Sequence, residues 1–139
     1  METTTRTEPP ENGSPPGPRP AVRLGQVVVD TDQPGRLSRF YAELLGWSVT
    51  EEDEEWVTIR GEEGIEIAFQ LALDHRRPTW PDSAVPQQFH LDLTVPDPVA
   101  AAAYAESLGA TRLPPQPGQP DSFVVFTDPS GHPFCLCRA

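Results

Sequence analysis

The stretch Gln88-Phe-His-Leu-Asp-Leu-Thr-Val95 decides how the rest of the chain is interpreted. Apolar and polar residues alternate strictly from Phe89 onward. This is the period of a β-strand with one face on a core and the other on polar surroundings. Pro96-Asp-Pro98 follows at once and favours a turn and the start of a helix. The stretch therefore opens a new structural unit, and it carries His90 on its polar face.

The first half of the chain shows the same order of elements. Leu24–Thr31 alternates as a strand, and residues 34–46 carry apolar side chains at helical spacing between a proline and a glycine. Tyr41-Ala-Glu-Leu-Leu-Gly46 and Tyr104-Ala-Glu-Ser-Leu-Gly109 match at five of six positions. We interpret this as an internal duplication. It predicts a second helix near 98–108 in the same phase as the first, with a stripe formed by Ala100, Ala103, Tyr104, Ser107 and Leu108.

Each helix is followed by three further strand-like segments, near 47–50, 56–60 and 65–70 and near 110–113, 122–127 and 133–138. The predicted fold class is α+β, with two tandem βαβββ modules that form a curved mixed sheet around a central cavity. The modules span about 23–72 and 88–138 and are joined by a crossover, within one domain at 21–139. Residues 1–20 have almost no apolar side chains and are predicted to be a disordered tail.

The alternation also predicts which side chains face the cavity. Trp80, in the crossover, is assigned to its rim, and His132, after the turn Asp128-Pro-Ser-Gly131, is expected to be exposed. The inward set comprises Gln26, Val28, Asp30, Glu66, Ala68, Gln70, His90, Asp92, Thr94, Cys135 and Cys137.

Composition excludes several classes of function. The net charge is −11 and every basic residue is Arg, which argues against nucleic-acid binding and excludes lysine Schiff-base chemistry. No apolar run is long enough to span a membrane, and no signal peptide is recognisable. We therefore expect a cytoplasmic protein. Cys135 and Cys137 project from the same face of an extended strand, which disfavours a disulfide between them, so we expect reduced thiols.

Three separated motifs resemble the vicinal oxygen chelate superfamily, which includes glyoxalase I, bleomycin-resistance proteins and extradiol dioxygenases. They are Phe40-Tyr-Ala-Glu-Leu-Leu-Gly-Trp47, His90-Leu-Asp-Leu-Thr-Val-Pro-Asp97 and Phe126-Thr-Asp-Pro-Ser-Gly-His-Pro-Phe-Cys-Leu-Cys137. The resemblance covers residues 23–138 and is closest to the glyoxalase-like domain subgroup. It implies a small-molecule ligand or substrate and a homodimer.

In metal-dependent members of the superfamily, four cavity positions hold one divalent ion. Carried over singly, these positions fall on Gln26, Glu66 (with Gln70 as its rival), His90 and Cys135. The resemblance thus implies a site for Zn, Ni, Mn or Fe. Cys135 replaces the usual glutamate, however, so classical glyoxalase I activity is not expected. Extradiol dioxygenase activity is not expected either, because iron in such sites needs two histidines and a carboxylate.

Two functions remain open from the sequence. One is a lyase or isomerase acting on an oxygenated metabolite, with His90 and Glu66 as catalytic residues, metal-assisted or metal-free. The other is a non-catalytic binding or antibiotic-resistance protein that sequesters its ligand, with an aromatic and acidic cleft for a cation. The expected ligand-binding residues are Asp92, Gln70, Trp80 and Asp30. In a purely structural interpretation, His90 hydrogen-bonds Gln26 and Cys135 packs as a small hydrophobe.

Overall fold

Residues 17–139 are described by a computed structural model, and they form two successive βαβββ units. The first contains β1 (Val27–Thr31), α1 (Pro34–Leu45), β2 (Ser48–Glu52), β3 (Trp56–Arg60) and β4 (Glu66–Leu71). The second contains β5 (Leu91–Val95), α2 (Pro98–Ser107), β6 (Thr111–Arg112), β7 (Phe123–Thr127) and β8 (Pro133–Arg138). The α+β class and the tandem arrangement are confirmed. Most of the predicted tail, residues 1–16, lies outside the described part.

Each unit builds its own four-stranded mixed sheet. The strand orders are β1-β4-β3-β2 and β5-β8-β7-β6, so the last strand of each unit lies beside the first. The first and last strands pair in parallel, and the remaining neighbours pair antiparallel. The parallel pairing requires a crossover connection, which α1 and then α2 provide.

The helix α1 joins the two units in a single core. Gly46 ends the helix in the left-handed conformation (φ 70°), where a side chain would be strained. The Phe40 ring lies 5.8 Å from that of Phe134 in β8, and the Tyr41 ring lies 5.9 Å from Phe69 in β4. Both α1 rings are buried between residues of the two sheets. Each unit therefore depends on the other for part of its hydrophobic burial.

The sequence pattern predicted the wrong face of α2 for the core. Ala102 and Ala105 are buried, whereas Tyr104 is 48% exposed. The helices begin 64 residues apart (98 − 34), but the repeated hexapeptides lie 63 apart (104 − 41), so the structural counterpart of Tyr41 is Ala105. Alanine gains little from burial, and a helix rich in alanine gives no apolar periodicity that could reveal the shift.

A buried polar cluster, here called the inter-module clasp, connects the turn at 128–132 to the first unit. The Tyr41 hydroxyl donates a 2.7 Å hydrogen bond to the Asp128 carboxylate, and the Thr31 and Ser130 hydroxyls lie 2.7 Å apart. His132 donates from Nε2 to the Asp30 carbonyl at 2.8 Å and is fully buried. Its predicted exposure was wrong, because the turn packs against β1 and the crossover instead of facing solvent.

The clasp also orders the crossover. His75 Nε2 lies 2.8 Å from the Ser130 carbonyl oxygen, and Arg77 Nη1 donates to the Pro129 carbonyl at 2.8 Å. Gly131 adopts φ 86°, and a Cβ at this position would lie 3.0 Å from the Arg77 Cβ. The chain between the sheets is thereby fixed at the residues that lead to Trp80.

Gly61→Ala is expected to lower the free energy of unfolding by about 1–3 kcal/mol through overpacking. A Cβ at Gly61 would lie 2.7 Å from Cε2 of Trp47, whose ring would have to move. Urea unfolding measures the change. Gly35→Ala in α1 is the matched control, since nothing lies within 4 Å of its Cβ and alanine favours a helix. Equal effects of the two substitutions would contradict the packing of Trp47 on Gly61.

Candidate functional site

A groove of about 490 Å³ lies on the second sheet, on the face opposite its core side chains. We call it the β5–β8 groove. Its floor follows from the strand register: Asp92 pairs with Cys135, which pairs with Val125 on the other side. Side chains of paired residues share one face of a sheet. The complete lining is Trp80, His90, Asp92, Gln116, Pro117, Gly118, Gln119, Phe123, Val125, Cys135 and Cys137.

Two loops are held over this floor by their own hydrogen bonds. Gln119 Oε1 accepts from the Gln116 amide at 3.1 Å, which closes the loop at 116–119 on itself. Thr79 Oγ1 donates to the Asp82 carboxylate at 2.6 Å and accepts from the Val85 amide at 3.0 Å. These bonds fix the backbone next to Trp80, whose ring is thus presented at the rim.

The titratable side chains that line the groove are those of His90, Asp92, Cys135 and Cys137. His90 Nε2 lies 3.5 Å from Asp92 Oδ1, and the two side chains are 45% and 62% exposed. Burial, with the neighbouring charge and hydrogen bonding of Asp92, raises the pKa of Cys135 to about 11. Burial and the Asp92 charge also raise the pKa of Cys137. Both thiols therefore carry their protons near neutral pH, and neither is an activated nucleophile.

Alkylation of Cys135 is expected to accelerate about tenfold for each pH unit from 8 to 10, because only the thiolate reacts. An ordinary cysteine, with a pKa near 8.5, would level off in this range. Iodoacetamide labelling followed by peptide mass spectrometry gives the rate at each cysteine. The urea-unfolded chain is the control, in which both cysteines should level off together. A plateau at Cys135 by pH 9 in the folded protein would contradict the effect of burial.

A second groove, of about 330 Å³, lies at the beginning of β1 and β4 and extends to Leu91 of β5 in the second unit. We call it the β1–β4 groove. Gln26 and Glu66 line it, together with Leu24, Val27 and Ile65 among others. The four positions inferred for a metal are thus divided: His90 and Cys135 belong to one groove, and Gln26 and Glu66 to the other. His90 approaches Asp92 and not Gln26, contrary to the purely structural interpretation.

The predicted ligand-binding residues do not all lie in one groove either. Trp80 and Asp92 line the β5–β8 groove with His90, as a ligand-binding role requires. Asp30 and Gln70 are register partners on β1 and β4, and both are exposed. Neither lines one of the two grooves. Ala68, assigned to the cavity, is fully buried.

A metal ion does not fit the site as one chain presents it. Within residues 17–139, no three His, Cys, Asp or Glu side chains lie close enough together to hold an ion. The set Gln26, Glu66, His90 and Cys135 stays a prediction, and the chemistry below is derived from protein groups alone.

Sequence reasoning missed the loop at 116–119 and Phe123 as parts of the site. The Pro, Gly and Gln residues of that loop indicated only a connection, because strand alternation does not show where a loop between strands lies. Phe123 could have been predicted as part of the site. It lies two residues before Val125 in β7, so its side chain faces the same side of the sheet as Cys135.

The family model for the glyoxalase-like domain matches residues 26–137. A glyoxalase/bleomycin resistance/dioxygenase family enzyme from Burkholderia phytofirmans PsJN is 17% identical, with a TM-score of 0.63 over 84% of this chain and 98% of the other. The fosfomycin resistance protein FosX from Listeria monocytogenes is 12% identical, with a TM-score of 0.64 over 86% and 94%.

These structural likenesses establish the fold. No curated protein matches the sequence significantly. None of the helices in the described part of the chain is long and apolar enough to cross a membrane. The family match extends over most of the chain and includes both βαβββ units. The chain belongs to the glyoxalase-like domain family of the vicinal oxygen chelate superfamily.

Proposed function

We propose that this protein is a small-molecule enzyme of the lyase or isomerase type that acts on an oxygenated metabolite in the β5–β8 groove. The observation that carries the proposal is the His90–Asp92 pair, 3.5 Å apart, on the floor of this groove. Its volume of about 490 Å³ lies within the range of small-molecule sites. The two free thiols support a reducing compartment, such as the cytoplasm.

In this proposal, His90 transfers a proton to or from a carbon or oxygen next to a carbonyl group. Asp92 orients the imidazole and stabilises the imidazolium that forms. Cys135 stays a thiol and lies beside Asp92 on the same face of the sheet. The apolar walls, Phe123, Val125 and Trp80, remove water from the ligand and strengthen these polar contacts.

We further propose that the protein is a homodimer in which a second copy completes the site. Glu66 and Gln26 lie in the β1–β4 groove, apart from His90 in the same chain. That groove exposes the apolar side chains of Leu24, Val27 and Ile65, and a second copy of the chain would cover them. A partner's first unit placed over the β5–β8 groove would supply the second catalytic carboxylate, Glu66, and would unite the four family positions for a divalent ion.

A second candidate function is ligand sequestration without turnover. In the described part of the chain, the groove has an aromatic rim at Trp80, an aromatic wall at Phe123 and one carboxylate, Asp92, and no arginine lines it. This composition suits a cationic aromatic molecule held by cation–π and charge interactions. Binding alone requires neither Glu66 nor a proton transfer by His90.

One experiment separates the two functions. The protein is screened by NMR against α-hydroxycarbonyl compounds, α-dicarbonyl compounds, vicinal diols and cationic aromatic compounds, with binding and product recorded in the same tube. Product from the wild type, and binding without product from His90→Gln, would support the enzyme. Binding without product from the wild type would favour sequestration, and no binding to any compound would contradict both.

The assembly and the metal are tested on the same samples. Sedimentation should give a dimer, and Val27→Asp should yield monomers that keep their circular dichroism spectrum. A monomeric wild type would contradict the composite site. Elemental mass spectrometry of tag-free wild type beside His90→Ala tests for bound metal. One equivalent per chain that is lost in the variant would support an ion at the united positions.

A further inference from the structure

The two cysteines of the chain lie on the same face of one strand, in the same groove. Cys135 and Cys137 are two residues apart in β8, and both line the β5–β8 groove as free thiols. β8 is hydrogen-bonded to β5 on one side and to β7 on the other, so its backbone is fixed along both edges. Cys135 pairs with Asp92 and Cys137 with Thr94 in the strand register. The relative position of the thiols is therefore set by the sheet.

The spacing is poorly suited to a disulfide and well suited to a bridging ion. Two residues along a strand separate the Cα atoms by about 6.6–6.8 Å, which is the upper limit for a disulfide. A disulfide also requires its sulfur atoms about 2.05 Å apart. Two metal–sulfur bonds in line, each about 2.3 Å long as in zinc thiolates, would place them about twice as far apart. Cysteine side chains on the same face of a strand can reach the sulfur–sulfur distance of a bridging ion with less distortion than the shorter distance of a disulfide.

We propose that Cys135 and Cys137 form a binding site for a soft divalent cation that is satisfied by two thiolates, such as the mercuric ion. Zinc takes four ligands in structural sites, and within residues 17–139 no group of three His, Cys, Asp or Glu side chains is arranged to hold an ion. Thiolates select soft ions. The site shares Cys135 with the proposed catalytic groove but uses neither His90 nor a second copy of the chain, so its test does not require enzymatic turnover.

The charge balance favours a divalent over a monovalent ion. Both cysteines are free thiols and bind an ion as thiolates, so binding breaks two S–H bonds, forms two metal–sulfur bonds and releases two protons to solvent. A divalent ion then forms a neutral dithiolate complex in an apolar groove. A cuprous ion would leave one negative charge next to the Asp92 carboxylate, where burial and repulsion both oppose it.

The test is a titration of reduced protein with mercuric chloride in the presence of millimolar glutathione. Sulfur-to-metal absorption, native mass spectrometry and proton release are recorded together. One ion per chain and two protons per ion are expected. Cys135→Ser and Cys137→Ser should each bind about 10²–10⁴-fold more weakly, because the second thiolate no longer acts within the same molecule.

The matched control is Thr94→Ala, which changes the neighbour of Cys137 on the same face and should leave the affinity unchanged. Circular dichroism establishes that the serine variants are folded. The proposal is overturned if two ions bind per chain, if either serine variant retains the wild-type affinity, or if zinc binds as tightly as the mercuric ion.

Discussion

Asp128→Ala is expected to lower the free energy of unfolding by about 3–5 kcal/mol. This loss is comparable to the cost of removing one partner of a buried ion pair. The carboxylate is 1% exposed and accepts hydrogen bonds from the Tyr41 hydroxyl and from the amides of Ser130 and His132. Alanine would leave three buried donors without a partner, at about 1–3 kcal/mol for each that finds no water. Urea unfolding followed by circular dichroism gives the change.

Two variants serve as controls for this prediction. Asp128→Asn keeps an oxygen for the two amides and offers its N–H to Tyr41, so it should cost clearly less than alanine. Tyr41→Phe removes one bond to the carboxylate and should cost about 1.5–3 kcal/mol. A loss below about 1 kcal/mol for Asp128→Ala would show that the inter-module clasp contributes little to stability.

Asp92→Asn is expected to weaken the binding of a cationic aromatic ligand by a factor of about 10 to more than 100, the equivalent of a hydrogen bond to a charged group. Among the described residues, Asp92 is the only carboxylate that lines the β5–β8 groove, and no arginine of this part of the chain lines it. Titration calorimetry with a quaternary aromatic amine measures the change. A phosphonate anion should bind much more weakly than the amine, since Asp92 repels it and no arginine within residues 17–139 lines the groove.

The control for this experiment is Asp74→Asn, which removes the same charge from an exposed position outside the groove. It should leave the affinity within a factor of about two, because a distant exposed charge is screened by salt. Equal effects of the two substitutions would indicate a general attraction of cations to this acidic protein. Preference for the phosphonate would show that the groove does not select cations.

The sequence predicted the elements better than it predicted the site. The eight strands and two helices of the described residues were all predicted. The strands and α1 have a local period, and α2 was inferred from the internal duplication and the glycine that follows it. The side chains of His90, Asp92, Cys135 and Trp80 were assigned to one cavity, and they share one groove. Gln26 and Glu66 were assigned to the same cavity and lie in another, since alternation gives a face of a strand but not what that face meets.

The burial of His132 was not predictable from its turn. Turn residues are exposed by default, and only the docking of that turn on β1, 102 residues earlier, buries the ring. The phase of α2 failed for a different reason, because alanine has little preference between core and surface. Interactions between distant segments account for the first failure, and weak side-chain preferences account for the second.

The inter-module clasp has a consequence for how the protein is made. Tyr41 and Asp128 are 87 residues apart, and Thr31 and Ser130 are 99 apart, so the first unit leaves the ribosome long before its buried partners exist. Contacts of such sequence separation slow folding. The nascent first unit would expose Phe40 and Tyr41 until β8 is synthesised. Folding of the whole chain therefore waits for its last strand, and a chain truncated before Asp128 would be a substrate for chaperones and proteases.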